Sequence, residues 1–543
     1  MRGRIQDYLR SHNINPGVAL GYAALVVLFV WTLAQFYIPG KGLSYLIAFG
    51  AKQENARLSK VRKLDYFVAR ASDGYDAQYY VQVAMDPSLQ NRELRQAVDS
   101  LPYRARRILF SATAYVLGFG RPGWILQAFA LQNVLCWFLL AGLLLHWFPP
   151  RSWDNFLRWT GIVFSFGVCV SCRNALFDGP SLLLIAWGVY LLEKGRPWGA
   201  TAVLALSGLG KETNLLGSAA LLPKTADGGR AWGLAMARGL LTALPLALWI
   251  LYIALAVGGK MDDLGARNFD LPFVAYLRKW QEIGDGWADV SVVNAGPLWS
   301  LLMLVALTVQ FLFLMLRPQW DKAWWRIGLS FALLMIFLGD AVWEGYPGAA
   351  SRVLLPMQLA FNILVPAGRA WWLVLVLGNL TLLAAPATLE SPTGEGYVIK
   401  GRDELVYGRA GQKVTIDFSD TWYPVERHNN DYWCWSAGEA VLTLHNPHPA
   451  PLRVRLRFSL NVNERRRVRL SINGADAWAT ELGSSGAVNV VLGEVVLQPG
   501  DSAMEFSTDT PPSRIGTDPR PLAFRVQNLR IDLQQLLPVT PAK

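Results

Sequence analysis

The sequence predicts a polytopic α-helical membrane protein that ends in an all-β sandwich of jelly-roll type. Three observations carry this. The chain has 543 residues, 52% of them hydrophobic, and its mean hydropathy is +0.25. Soluble globular chains rarely reach that value. Long apolar runs recur as far as residue 386. Beyond residue 387 they give way to alternation of apolar and polar residues, the period of a half-buried strand.

The elements follow in order. Met1–Pro16 is polar and carries Arg2, Arg4 and Arg10. Gly17–Ile38 is an apolar run too long for the core of a cleaved signal, so it reads as a retained first helix with a cytoplasmic N-terminus. Further apolar segments fall near 122–147, 155–172, 179–193, 197–210, 212–223, 239–258, 297–316, 326–339, 353–366 and 371–386. Together they give about ten to twelve membrane segments, although several fall short of the ~20 residues of a full span. The pair 197–210 and 212–223 is split by Lys211-Glu212. It reads as a helical hairpin or two short helices, a break tolerated where it is buried in protein or lines a wet cavity.

Threading these segments puts Arg151, Arg158, Lys194, Arg196, Lys224, Arg230, Arg238, Arg317, Lys322, Arg326 and Arg369 on the cytoplasmic side, as the positive-inside rule requires. The loops 39–108, 173–178, around 211, 259–296 and 340–352 fall outside. The membrane domain is thus 1–386, with 39–108 as a large first outer loop. That loop is itself basic, but long enough to escape the rule. Within it Leu58, Val61, Leu64 and Val68 recur at helical spacing between basic residues, which predicts an amphipathic helix on the membrane surface. Arg107–Phe119 reads as a second amphipathic or re-entrant stretch.

Residues 387–543 form the β domain. Leu452-Arg453-Val454-Arg455-Leu456-Arg457-Phe458 is strict period two, and Asn473-Gly474 and Pro499-Gly500 supply turns. Trp422, Tyr423, Tyr432, Trp433 and Trp435 cluster near its start, as sandwich core or as a sugar-stacking face. The thread places this domain outside.

Composition also excludes function classes. A formal charge of +11 would point to nucleic acid in a soluble protein. Here Lys and Arg anchor cytoplasmic loops and meet anionic lipids, and no nucleic-acid-binding motif is present. Cys136, Cys169, Cys172 and Cys434 make no disulfide framework. Cys169-x-x-Cys172 lacks the second pair of a zinc site and reads as buried helix cysteines.

The polar residues that reach the outer face are Asp73, Asp76, Arg104, Arg107, Arg173, Asp178, Lys211, Glu212, Glu344 and Arg352. Ionisable groups at a membrane are costly and are functional candidates by default. Cations there can hold a phosphate or pyrophosphate, and a carboxylate can take a proton from an acceptor hydroxyl. Asp73-Gly74 is equally an ordinary turn signal.

Asp73-Gly74-Tyr75-Asp76-Ala77-Gln78-Tyr79-Tyr80, Tyr103-Arg104-Ala105-Arg106-Arg107-Ile108-Leu109, Lys211-Glu212-Thr213 and Arg352-Val353-Leu354-Leu355-Pro356 together resemble bacterial members of the GT-C superfamily. These are polytopic glycosyltransferases, GPI-mannosyltransferase-like among them, that use polyprenyl-phosphate sugars. The resemblance covers roughly residues 15–386 and departs at Ala77, where glycine is expected. It implies Asp76 as general base, with Asp73 orienting the acceptor or an arginine, and inversion at the sugar carbon. Charge and topology assign the donor phosphate to Arg107, Lys211, Arg352 and Arg104. Tyr75, Gln78, Tyr79, Asp178, Glu212 and Glu344 complete the expected substrate site, with Glu344 on a sugar hydroxyl. No metal ligand is assigned, and a divalent ion is left open. The segment from Trp422-Tyr423-Pro424-Val425-Glu426 through Asp518-Pro519-Arg520 to Phe524-Arg525-Val526 resembles a β module appended to bacterial polysaccharide-assembly proteins.

The expectation is therefore an enzyme of the bacterial inner membrane. It moves a sugar, such as mannose, from polyprenyl phosphate to a periplasmic glycan or lipid-linked acceptor. Its partners are donor, acceptor, membrane lipids and other polysaccharide-assembly proteins. A flippase for lipid-linked sugars and a non-enzymatic scaffold are the alternatives. A flippase should show internal repeats and charges near the midplane, whereas the charges here gather at one face.

Overall fold

The computed structural model describes residues 14–536 except 39, 51–52, 54–55, 70–72, 259–262, 288–289, 291–294, 346, 390–396, 401–404, 407–413, 429–430, 447–449, 484–486 and 515–517. Arg2, Arg4 and Arg10 lie outside the described residues. Helices run to Thr388 and strands dominate from Tyr397 onward.

Four helices among the described residues are long and apolar enough to cross a membrane: Pro16–Ala34, Pro122–Leu144, Gly229–Ala256 and Gly296–Leu316. Two bent pairs, Trp153–Val163 with Phe166–Arg173 and Arg369–Leu377 with Leu380–Thr388, raise the number to six. The other predicted runs form shorter pieces, including Asp178–Glu193, Pro197–Gly210, Ala323–Phe337 and Leu355–Leu364. Local chemistry sets these boundaries. Asn15 accepts from the amides of Gly17 and Val18 at 3.0 and 3.3 Å, and Pro16 opens the first helix, the expected capping arrangement. Aromatic contacts fix this helix to its neighbours. Phe29 stacks on Trp137 at 3.7 Å between centroids, and Tyr22 lies 4.6 Å from Trp159.

The loop 39–108 does not hold a surface helix over 58–68. Only Ser59–Arg62 is helical, and Leu58 and Val61 are wholly buried in the main core. The helical spacing was real, but its apolar face packs inward against protein rather than onto lipid. Phe49–Gly50 and Val68–Ala69 pair as a short parallel ladder beneath the helix Ala77–Met85. Ile108–Leu117 is helical as expected, and Tyr115, Val116, Leu117 and Phe119 at its end are exposed.

The β half is a sandwich of two sheets. One runs in the order Ala475–Leu482, Arg466–Ile472, Gly500–Thr508, Ala440–Asn446, Val414–Phe418, Tyr397–Lys400, Leu405–Val406. The other runs Ala487–Leu497, Leu452–Val462, Phe524–Leu536, Asp431–Ser436, Glu426–His428. Leu452, Val454, Leu456, Phe458 and Leu460 all point inward, matching the alternation in the sequence. Phe506 of the first sheet meets Phe458 and Phe524 of the second at 6.0 and 5.8 Å, so both sheets share one core.

Candidate active site

Five segments far apart in sequence wall a cavity of about 360 Å³. They are the turn at Asp76, the stretch from Tyr103 to Arg107, the start of Asp178–Glu193, the Lys211–Thr213 break, and Arg352 with Val353. Leu334, Leu338, Val342 and Phe269 add an apolar wall.

Each polar residue is delivered by a local feature. Gly74 takes a φ of +82° and a side chain there would collide with Gln78, so glycine is required at this turn. The turn leads directly into the helix Ala77–Met85, where the Tyr79 and Tyr80 amides donate to the Asp76 carbonyl at 3.1 and 3.4 Å. Lys211 is fully extended, with φ −161° and ψ 133°, between the helix Pro197–Gly210 and the 3-10 segment Glu212–Leu221. Asn214 bridges the break by donating to the Ser207 carbonyl at 2.8 Å. Both Lys211 and Glu212 thereby reach the cavity wall. Asp178 is the first residue of its helix, where a negative charge meets the positive end of the helix dipole.

The charges are interlocked. Lys211 Nζ lies 2.5 Å from Asp178 Oδ1, and Arg352 Nη1 lies 3.2 Å from Asp178 Oδ2. Two cations around one buried carboxylate keep it ionised, because their attraction outweighs its desolvation. Arg107 donates to Glu212 at 3.0 Å, to the Tyr80 hydroxyl at 2.8 Å and to the Tyr103 hydroxyl at 3.2 Å. Burial raises the Tyr80 phenol above its usual range despite Arg107 and Arg104, so it accepts as a neutral group. Arg104 Nη2 sits 3.0 Å from Asp76 Oδ1. Arg352 also donates to the Tyr75 hydroxyl at 3.4 Å.

Of the twelve residues predicted from sequence, Asp76, Arg107, Asp178, Lys211, Glu212 and Arg352 line the cavity. Arg104, Tyr79 and Tyr75 stand behind them: the Arg104 guanidinium lies 5.2 Å from the Tyr79 ring, and Tyr75 touches Arg352. Three fall elsewhere. Asp73 is exposed, and its carbonyl accepts from Gln78 Nε2 at 2.7 Å. Gln78 is buried and also accepts from the Gly50 amide at 3.2 Å, so it braces the turn instead of meeting substrate. Glu344 is exposed and pairs with Arg267, and it is not among the residues that line the cavity, although Ala349, Arg352 and Val353 nearby are. Arg173, read at the same face, is packed against the rings of Phe36 and Tyr45.

Sequence reasoning missed Tyr80, Tyr103 and Arg106, which also line the cavity. The four-residue spacing of Tyr103 and Arg107 was the available signal. Arg106 has no carboxylate at ion-pair distance among the described residues. The cavity thus carries four cations, Arg106, Arg107, Lys211 and Arg352, against three carboxylates, Asp76, Asp178 and Glu212. Such a balance favours an anion, with one half-exposed carboxylate at the edge to take a proton. No group of three His, Cys, Asp or Glu residues gathers as a metal site among the described residues.

No family model matches the chain, and no curated protein matches it. Three of the solved structures with a likeness to this chain illustrate how faint it is. The cryo-EM structure of arabinosyltransferase EmbB from Mycobacterium smegmatis is 12% identical over 94% of this chain and 64% of its own, with a TM-score of 0.30. A Podospora anserina GH26-CBM35 β-(1,4)-mannanase is 11% identical over 24% of this chain and 26% of its own, at 0.16. The CBM36-1 domain of a xylanase from the Trinervitermes trinervoides hindgut metagenome is 17% identical over 23% of this chain and all of its own, at 0.15. The chain thus spans about a quarter of the mannanase and under two thirds of the arabinosyltransferase.

Proposed function

We propose that this chain is a GT-C-type inverting glycosyltransferase that takes a sugar from polyprenyl phosphate. The observation that carries the reading is the shared cavity: Asp76 stands in one wall, and Arg107, Lys211 and Arg352 stand in the others. The donor phosphate binds among these cations and Arg106. The acceptor hydroxyl approaches Asp76, which removes its proton as the oxygen attacks the anomeric carbon from the face opposite the phosphate. The bond from that carbon to the phosphate oxygen breaks, and polyprenyl phosphate leaves with its added negative charge against the cations. The apolar wall of Leu334, Leu338 and Val342 suits the first isoprene units of the lipid. The N-terminus is cytoplasmic, the cavity faces the periplasm of a bacterial inner membrane, and the sugar is a hexose such as mannose.

The β domain holds the acceptor glycan. Trp422 and Tyr432 are core residues, whereas Trp433 and Trp435 stay half-buried on the outer sheet face, with the Arg525 guanidinium 5.2 and 5.4 Å from their rings. Aromatic faces of this kind stack on sugar rings. Transfer at a normal rate after deletion of 387–543 would remove this acceptor role.

The catalytic reading is tested in membrane vesicles bearing the full chain, with a panel of radiolabelled undecaprenyl-phosphate hexoses and pentoses. One donor should support transfer by the native chain, and Asp76→Asn should abolish it. Transfer by Asp76→Asn at the native rate would refute the base, and no transfer from any donor would refute the activity.

A further inference from the structure

Asp76 does not hold Arg104 alone. Arg104 Nε and Nη2 donate to the two oxygens of Asp99 at 2.9 and 2.6 Å, while a single contact of 3.0 Å reaches Asp76. The shorter, two-pronged bond gives Asp99 the larger share of the guanidinium. Arg104 cannot swing away, because its side chain is 9% exposed and the rings of Tyr79, Tyr80 and Tyr103 lie 5.2, 5.3 and 5.6 Å from it. Asp99 is fixed as well. Its carboxylate accepts the Ser100 amide at 2.8 Å, and Gln82 ties the Ala97 carbonyl to the helix Ala77–Met85 at 2.6 Å. Asp99 is not among the cavity walls.

We propose that Asp99 is a positioning residue that, through Arg104, sets the basicity of Asp76. This rests on the reading of Asp76 as general base. An arginine given wholly to Asp76 would orient it but strip its affinity for a proton. A base works best with a pKa near the operating pH. Sharing Arg104 with a second carboxylate keeps the orientation and returns part of the basicity. The other charged and titratable groups around Asp76 are Asp73 and Tyr75 of its own turn, Arg352, Tyr79 and Tyr80, with Arg106, Arg107, Tyr103, Lys211, Asp178 and Glu212 in the cavity walls. Of these, Tyr79 also feels the charge of Asp99, while Arg104 is the residue that contacts both carboxylates.

The test is the pH dependence of kcat/KM in the full-length chain, with the panel donor that supports transfer. Asp99→Asn removes a neighbouring negative charge and leaves Arg104 to Asp76 alone. Both changes favour ionised Asp76, so the acid limb should move down by about one pH unit and the plateau should fall about tenfold as the base weakens. Asp99→Glu keeps the charge and should leave the limb in place. Arg104→Gln removes the cation and should move the limb upward. Opposite movements are the signature, since a purely structural role for Asp99 lowers the plateau without moving the limb. An unmoved limb in either Asp99→Asn or Arg104→Gln overturns the proposal. Should Asp99→Asn fail to accumulate, Asp99→Ser, which also removes the charge, must lower the limb in its place, and an unmoved limb there overturns the proposal. Asp76→Asn separates the two claims: if it is inactive and the limbs stay fixed, only the role of Asp99 falls.

Discussion

Two sets of buried or largely buried cations in the helical half make an instructive contrast. Arg158 donates to the carbonyls of Asn362, Val365 and Pro366, and Arg326 donates to those of Ala219, Ala220 and Trp320. Both satisfy carbonyls left open where helical segments end. Arg107, Lys211 and Arg352 are instead held by the side chains of Glu212 and Asp178 around a cavity. A charge saturated by backbone cannot let go without unfolding a helix end. A charge paired with a side chain beside open space can rearrange when an anion arrives. Burial alone therefore does not mark a site; the partner and the free volume beside it do.

Substitutions separate the two sets. The largest effect is expected from Asp76→Asn, with transfer reduced about 10²–10⁴-fold and the melting temperature unchanged. Arg352→Met should come next, raising the donor KM about 10–100-fold through loss of a charge-assisted contact, while Lys211 still holds Asp178. Arg326→Met should reverse that pattern. It leaves carbonyls unsatisfied and should cost about 3 kcal/mol of stability, read as an earlier thermal or denaturant transition, with transfer per folded molecule within about twofold of native. Glu344→Gln should be the quietest, within about twofold in both readouts, because an exposed pair with Arg267 is worth little. A large loss of transfer in Arg326→Met with full stability would erase the distinction.

Much of this was legible in the sequence, for identifiable reasons. Apolar runs and period-two alternation separated the helical half from the sandwich. Grouping the polar residues that flank apolar runs anticipated the cavity that Asp76, Asp178, Lys211 and Arg352 line. What such grouping does not encode is rotation within a loop. Glu344 lies in the expected loop, yet its carboxylate meets Arg267, and Gln78 lies in the expected turn, yet it faces Gly50. The amphipathic spacing of Leu58 and Val61 could not say whether lipid or protein would cover it. Asp99 was invisible for a different reason: it acts through Arg104, and only the 2.6 Å and 3.0 Å contacts reveal the sharing.

The position of the donor phosphate is the most direct test of the proposed transferase. A structure of the full chain in lipid nanodiscs with undecaprenyl phosphate would locate it. The phosphate is expected inside the cavity, within about 4 Å of Arg107, Lys211 and Arg352, with Asp76 across from it. A phosphate bound elsewhere, with Asp178 still holding both Lys211 and Arg352 and the cavity filled only by solvent, would contradict it.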